Sequence, residues 1–213
     1  ILRTFAYIAM VCTSSSYRTP CPAGKVETPW SIFSEQNRVF LVSFQRAATI
    51  VREMGSVLVC YSGGVDSALL LAVAHRVLGE RAIGMTAVSP SLAEAERETA
   101  IAIAGQIGAR HAIVYSHEIE REAYAANGTD RCFHCKSELY AIASKKREEW
   151  GLAWIANGTN LDDLGDYRPG LQAAETSGVR SPFVEVGWGK SRVRQAAERL
   201  GLSVWNKPAA ACL

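Results

Sequence analysis

An apolar run, Val57-Leu58-Val59-Cys60-Tyr61, leads into Ser62-Gly63-Gly64-Val65-Asp66-Ser67 and then into Ala68-Leu69-Leu70-Leu71-Ala72-Val73-Ala74, a run of helix-compatible apolar residues. Buried strand, glycine turn and helix start, in that order, constrain the fold more than any other stretch. Glycines let the backbone approach a ligand closely, and the free N–H groups of a first helical turn point at it. The sequence therefore predicts an anion site at this turn. Ser62 and Ser67 add hydroxyl donors, and Asp66 suits a loop that also meets a cation or caps the helix. The spacing is not that of the Walker loop, which needs four residues between its glycines and a closing Gly-Lys-Ser/Thr.

A chain of 213 residues, 48% hydrophobic and 21% charged, is long enough for one α/β domain with a sizeable core. The net charge of +2 gives no electrostatic case for nucleic acid as the main partner. No apolar run reaches the roughly 18 residues of a transmembrane span. Six cysteines are too few for a disulfide scaffold. Cys132-Phe133-His134-Cys135 suits metal or redox chemistry in a reducing compartment, which points to the cytoplasm. Residues 1–36 lack periodicity, match a secretory signal poorly, and read as a poorly ordered or non-native leader. Residues 37–205 read as the nucleotide-binding domain, and 206–213 as the start of a truncated region.

Phe40, Phe44, Ala47, Ala48, Val51 and Met54 have helical spacing, ended by Gly55. Strands are predicted at 57–61, 82–88, 111–115 and 152–156, with a last one at Val204-Trp205. Helices are predicted up to about residue 78, and over 92–107, 136–150, 171–176 and 191–200, with loops at 122–131 and 157–170. Alternating strands and helices imply an α/β fold, a parallel sheet with helices on both faces. Ligands bind such sheets at the carboxyl ends of strands. Ser62–Ser67, Ser89-Pro90-Ser91 and Gly158-Thr159-Asn160 all fall there.

The loop 157–170 holds Asp162, Asp163, Asp166 and Arg168. Carboxylates can hold Mg²⁺ against phosphates, and an arginine can pair with phosphate or carboxylate. A plain acidic surface loop with Asx turns is the bland alternative. Cys132, Cys135 and the distant Cys212 are three thiols, one short of a closed zinc site. A [4Fe–4S] cluster on three thiolates would leave one iron open for an extra sulfide. Reduced structural cysteines are the alternative. Cys60 reads as a core residue. Lys190 and Arg194 share a helical face and either meet phosphate oxygens or form a solvated basic face. His75, His111 and His117 show no partner pattern and read as structural or surface residues.

Taken in order, SGGVDS, Ser89-Pro90-Ser91-Leu92, Arg131-Cys132-Phe133-His134-Cys135-Lys136, the 157–170 loop, Arg180-Ser181-Pro182 and the tail from Lys207 to Leu213 resemble the LarE family. These are PP-loop ATP-dependent sulfur transferases of nickel-pincer cofactor biosynthesis. The resemblance spans about residues 37–213 and implies the adenine nucleotide alpha hydrolase-like fold. It implies that ATP adenylylates a carboxylate of pyridinium-3,5-dicarboxylate mononucleotide, releasing pyrophosphate, and that sulfur then displaces AMP. ATP would be held by Ser62, Gly63, Gly64, Val65, Asp66, Ser67, Ser89, Gly158, Thr159, Asn160, Arg168 and Lys190, with Mg²⁺ at Asp66, Asp162 and Asp163. Sulfur would come from Cys212, the catalytic cysteine that some members sacrifice, or from a [4Fe–4S] cluster on Cys132, Cys135 and Cys212. The resemblance also implies a small-molecule nucleotide substrate and a homo-oligomer. Family members continue past the region where this chain stops, into arginines and acids that bind the substrate phosphate. Alternatives are a tRNA-thiolating or amide-forming PP-loop enzyme, an ATP-binding module without turnover, and a small iron–sulfur or zinc protein.

Overall fold

All four residues of β1 (Val57–Cys60) are buried, and β1 lies inside the sheet, between two neighbours. The computed structural model describes residues 35–88, 94–116, 131–165 and 169–208. The chain divides into two units, Ile1–Asn37 and Arg38–Leu213, and nearly all described residues belong to the second. β1 pairs in parallel with β2 (Ala82–Val88) on one side and β4 (Trp154–Ala156) on the other, and β3 (Arg110–Tyr115) pairs in parallel with β2. The order is β3-β2-β1-β4. In register, Val57 stands opposite both Ala82 and Trp154.

The pleat of β1 divides the core. Val57 and Val59 pack with α1 (Glu35–Glu53), α2 (Val65–Leu78), α3 (Glu94–Ile107) and α7 (Lys190–Arg199). Leu58 and Cys60 join Met85 and Ile155 against α4 (Arg131–Glu149) and α5 (Pro169–Thr176). A strand covered on both faces must be apolar at every position, which is why β1 reads as a continuous run and not an alternation. Cys60 is a core residue as expected, and burial pushes its thiol up to about 12, only partly offset by the Lys136 ammonium.

The chain walks outward from β1 to β3, then returns to the other side of β1 as β4. That reversal opens a crevice between the carboxyl ends of β1 and β4, where such sheets take their ligands.

Three boundaries differ from expectation. α4 begins at Arg131, so Cys132 and Cys135 sit on a helix start instead of in a loop before one. The short helix α6 (Pro182–Glu185) is too brief to show periodicity, although proline at its start suits a first turn. Val204-Trp205 is not a strand. Trp205 N–H bonds Leu202 O at 3.1 Å and Lys207 N–H bonds Val204 O at 3.0 Å, a run of turns that buries Val204 in the core. No helix among the described residues is long and apolar enough to cross a membrane.

Trp188 is 2% exposed, stacks on Phe183 at 5.4 Å and leans on Phe44 at 6.3 Å, yet its buried Nε1 has no hydrogen-bond partner. Trp188→Ala should therefore cost about 3–5 kcal/mol in urea unfolding. Trp188→Phe should cost well under half of that, because it discards an unsatisfied donor and keeps an aromatic ring. Thr86 Oγ1 donates to Tyr61 O at 2.8 Å, so His111 Nε2, 2.8 Å from Thr86 Oγ1, is the donor to that hydroxyl. Burial holds His111 below its ordinary value of 6.5. The unfolded chain then binds the proton more readily than the folded one. Stability should be full above pH about 6.5 and fall as pH drops below it, with a shallower fall in His111→Gln. Urea midpoints measured against pH check this.

Candidate functional site

The chain leaves the sheet at Tyr61, whose N–H still bonds Met85 O at 2.9 Å. Two serines then tie the following loop shut. Ser62 N–H donates to Ser67 Oγ at 3.1 Å, Ser67 Oγ donates to Gly64 O at 3.1 Å, and the two hydroxyl oxygens are 3.2 Å apart. The serines thus shape the loop, a role beyond the donor groups expected from sequence. Gly63 has φ +76°, and a Cβ there would stand 2.9 Å from Ala100 Cα on α3. Only glycine fits both the backbone angle and the space.

Gly64 is the N-cap of α2 and has no side-chain cap. Ala68 N–H, bonded to Gly64 O at 2.9 Å, is the first amide of α2 to find a helical acceptor. The N–H groups of Val65, Asp66 and Ser67 precede it, and among the described residues no backbone carbonyl accepts from them. Three amides and the positive end of a helix dipole make an anion cradle.

The loop after β4 meets this cradle backbone to backbone. A Cβ on Gly158 would lie 2.7 Å from both the Asp66 carbonyl carbon and Ser67 N. Asn160, 1% exposed, reaches across: Asn160 Nδ2 donates to Asp66 Oδ1 at 3.2 Å and to Asp163 Oδ2 at 2.8 Å. Asn160 and Asp163 also form a capping box on the 3₁₀ turn Leu161–Leu164. Thr159 N–H bonds Asn157 Oδ1 at 3.1 Å.

Lys190 opens α7 and completes the group. Its Nζ donates to Asp66 Oδ2, while its own N–H bonds Asp162 Oδ2 at 2.7 Å. Gly189, the N-cap of α7, has no side chain to cap with, and Asp162 does so from another loop. Sequence reading missed this role, since the cap comes from a residue distant in sequence. Arg194 donates to the carbonyls of Lys207 at 3.0 Å and Trp205 at 3.4 Å, so it secures the tail and does not flank Lys190 at the cradle. Lys207 Nζ is tied to Glu96 Oε2 at 2.7 Å.

The structure therefore gathers Ser62, Gly63, Gly64, Val65, Asp66, Ser67, Gly158, Asn160 and Lys190 around one cradle, with Thr159 in the adjoining loop. Of the three carboxylates expected to hold Mg²⁺, Asp66 lies on the cradle, Asp162 caps α7 and Asp163 is bonded to Asn160. Among the described residues no group of three or more His, Cys, Asp or Glu is placed to hold a metal. Cys135 is half-buried on α4. Ser89, Arg168, Cys212 and the side chain of Cys132 lie outside the described residues.

Gly158→Ala should force the two loops apart and weaken binding of inorganic pyrophosphate at least about tenfold, a change of about 1.4 kcal/mol by calorimetry. Gly105→Ala on α3, with nothing within 4 Å of its Cβ, should leave that affinity unchanged.

No family model matches the chain. It is 47% identical over 161 residues to an uncharacterised protein of Synechocystis sp., covering 76% of this chain and 60% of that protein. It is 32% identical over 168 residues to the pyridinium-3,5-bisthiocarboxylic acid mononucleotide synthase of Lactiplantibacillus plantarum, covering 77% and 61%. The chain thus spans about three fifths of the length of the curated relatives it matches. Among solved structures it resembles an NMN synthetase from Francisella tularensis (TM-score 0.65, 13% identity, 80% of this chain and 75% of that one). It also resembles an NH3-dependent NAD synthetase from Campylobacter jejuni (TM-score 0.61, 15% identity, 81% and 79%). A third is the U34-tRNA thiolase NcsA from Methanococcus maripaludis, solved with its [4Fe-4S] cluster (TM-score 0.59, 16% identity, 83% and 68%). At these identities the structures speak to the fold, which is that of the PP-loop, adenine nucleotide alpha hydrolase-like ATPases. Over the region it shares with its relatives, the chain is similar in sequence to the pyridinium-3,5-bisthiocarboxylic acid mononucleotide synthase, the LarE protein, and it has the PP-loop fold.

Proposed function

We propose that this chain binds ATP and is the activating part of an ATP-dependent sulfur transferase that makes a thiocarboxylate on pyridinium-3,5-dicarboxylate mononucleotide. One observation carries the reading: among the described residues the first amides of α2, at Val65, Asp66 and Ser67, have no backbone acceptor, and the Lys190 ammonium is bonded to Asp66 beside them. The cradle amides take the β- and γ-phosphates, and Lys190 turns from Asp66 to a phosphate oxygen. Ser89 and Arg168 would complete the nucleotide contacts.

Mg²⁺ commonly needs only one or two protein carboxylates beside phosphate oxygens. Asp66, the carboxylate on the cradle, fits that need, with Asp162 and Asp163 holding the surrounding loop in shape. When bound, the ion neutralises charge on the departing pyrophosphate. The protein's part is to align the triphosphate so that a substrate carboxylate oxygen attacks the α-phosphorus and pyrophosphate leaves. A sulfur nucleophile then attacks the acyl carbon and AMP departs, a far better leaving group than oxide.

Sulfur comes from Cys212 or from a cluster. Cys132 and Cys135 are three residues apart at the start of α4, and with Cys212 they make a donor set of the right number for a three-thiolate [4Fe–4S] cluster. When bound, that group supplies a transferable sulfide. The family resemblance adds a cytoplasmic homo-oligomer to the proposal.

Lys190→Met should weaken ATP binding about tenfold, the loss of a charge-assisted bond of about 1.5 kcal/mol, measured by calorimetry with Mg²⁺ present. With the dicarboxylate mononucleotide added, the products should be AMP and pyrophosphate. Release of ADP and phosphate, or no affinity for ATP, would overturn the proposal.

A further inference from the structure

The side chain of Asn157 has no place in the nucleotide contacts, yet it is 7% exposed and both ends of its amide are hydrogen-bonded. Asn157 Oδ1 accepts from Ser181 Oγ at 2.8 Å and from Thr159 N–H at 3.1 Å. An amide N–H can only donate, so these contacts fix which end of the Asn157 amide is oxygen. Its Nδ2 then faces Tyr140 Oη and donates to it at 3.1 Å. The backbone is lashed down as well, with Asn157 N–H on Arg180 O at 2.9 Å and Arg180 N–H on Ile155 O at 3.0 Å.

The next residue is Gly158, whose backbone presses on the Asp66–Ser67 peptide. A small displacement of Asn157 therefore moves the amides of the anion cradle directly. The residue holding Nδ2 belongs to α4, the helix that carries Cys132 and Cys135, and Tyr140 is itself 2% exposed. Tyr140 thus connects the thiol-bearing helix to the phosphate loop through one side chain.

We propose that Asn157 is a positioning residue for the phosphates, and that Tyr140 on α4 sets its orientation. The inference rests on the ATP reading of the cradle. It makes a specific demand: disturbing the pair weakens phosphate binding and spares the nucleoside. Global destabilisation has no reason to make that distinction.

The test compares binding of inorganic pyrophosphate, ATP and adenosine to the full chain by calorimetry, with Tyr140→Phe, Asn157→Ser and the double variant. Tyr140→Phe removes one oxygen and leaves the ring in the core, and melting curves verify that each variant is folded. Pyrophosphate and ATP should bind about fivefold more weakly to Tyr140→Phe, the equivalent of one hydrogen bond of about 1 kcal/mol. Adenosine should bind as before. The double variant should lose no more than Asn157→Ser alone, because the two residues act in series. Equal losses for adenosine, unchanged affinity for pyrophosphate, or additive losses in the double variant would overturn the inference and leave the ATP reading standing. A wild-type chain that binds neither pyrophosphate nor ATP would overturn both.

Discussion

The contact on which the rest depends is backbone on backbone: Gly158 against the Asp66–Ser67 peptide, at a distance that leaves no room for a Cβ. It exists because the strand order reverses at β1, so that β4 is added in parallel on its other side and the two loop ends lie side by side. Each loop is shaped before they meet. Ser62 and Ser67 close one, and the Asn160–Asp163 capping box closes the other. Pressed together, they leave the first amides of α2 with no backbone carbonyl to satisfy them among the described residues. Satisfying those amides is a task left to a ligand or to water.

Charge is balanced around the same contact. Asp66 beside three amides and a helix N-terminus would by itself repel phosphate, but Lys190 is bonded to it and Asn160 Nδ2 holds its other oxygen. Asp162 fixes where Lys190 starts, since it caps the backbone N–H of that residue. One loop thus supplies the cap for α7, and α7 supplies the cation for the other loop. Removal of Asp162 would disturb Lys190 without touching its side chain. This arrangement explains how an acidic loop of the 157–165 region serves an anion site. Its carboxylates hold donors in place: Asp162 accepts from Lys190 N–H and Asp163 from Asn160 Nδ2.

Much of this was legible in the chain. The run from Val57 to Ala74 identified the cradle, because glycine pairs and helix formers act locally and leave a local signature. The parallel sheet followed from the alternation of strands and helices, and Cys60 followed from its place in an apolar strand. Asp162 as a cap on α7 was not legible, since the partner lies at Lys190 and only the fold brings them together. Tyr140 and Asn157 were invisible for the same reason: a tyrosine in a helix and an asparagine after a strand carry no mark of each other. Val204-Trp205 misled because two apolar residues satisfy a strand pattern as easily as a buried turn.

The most direct test is a titration of the ¹⁵N-labelled chain with ATP, followed by amide chemical shifts. Binding at the proposed cradle predicts that the largest shifts fall on Val65, Asp66 and Ser67, with smaller ones at Gly158 and Lys190. The largest shifts at residues remote from the β1–β4 crevice, or none at saturating ATP, would contradict it.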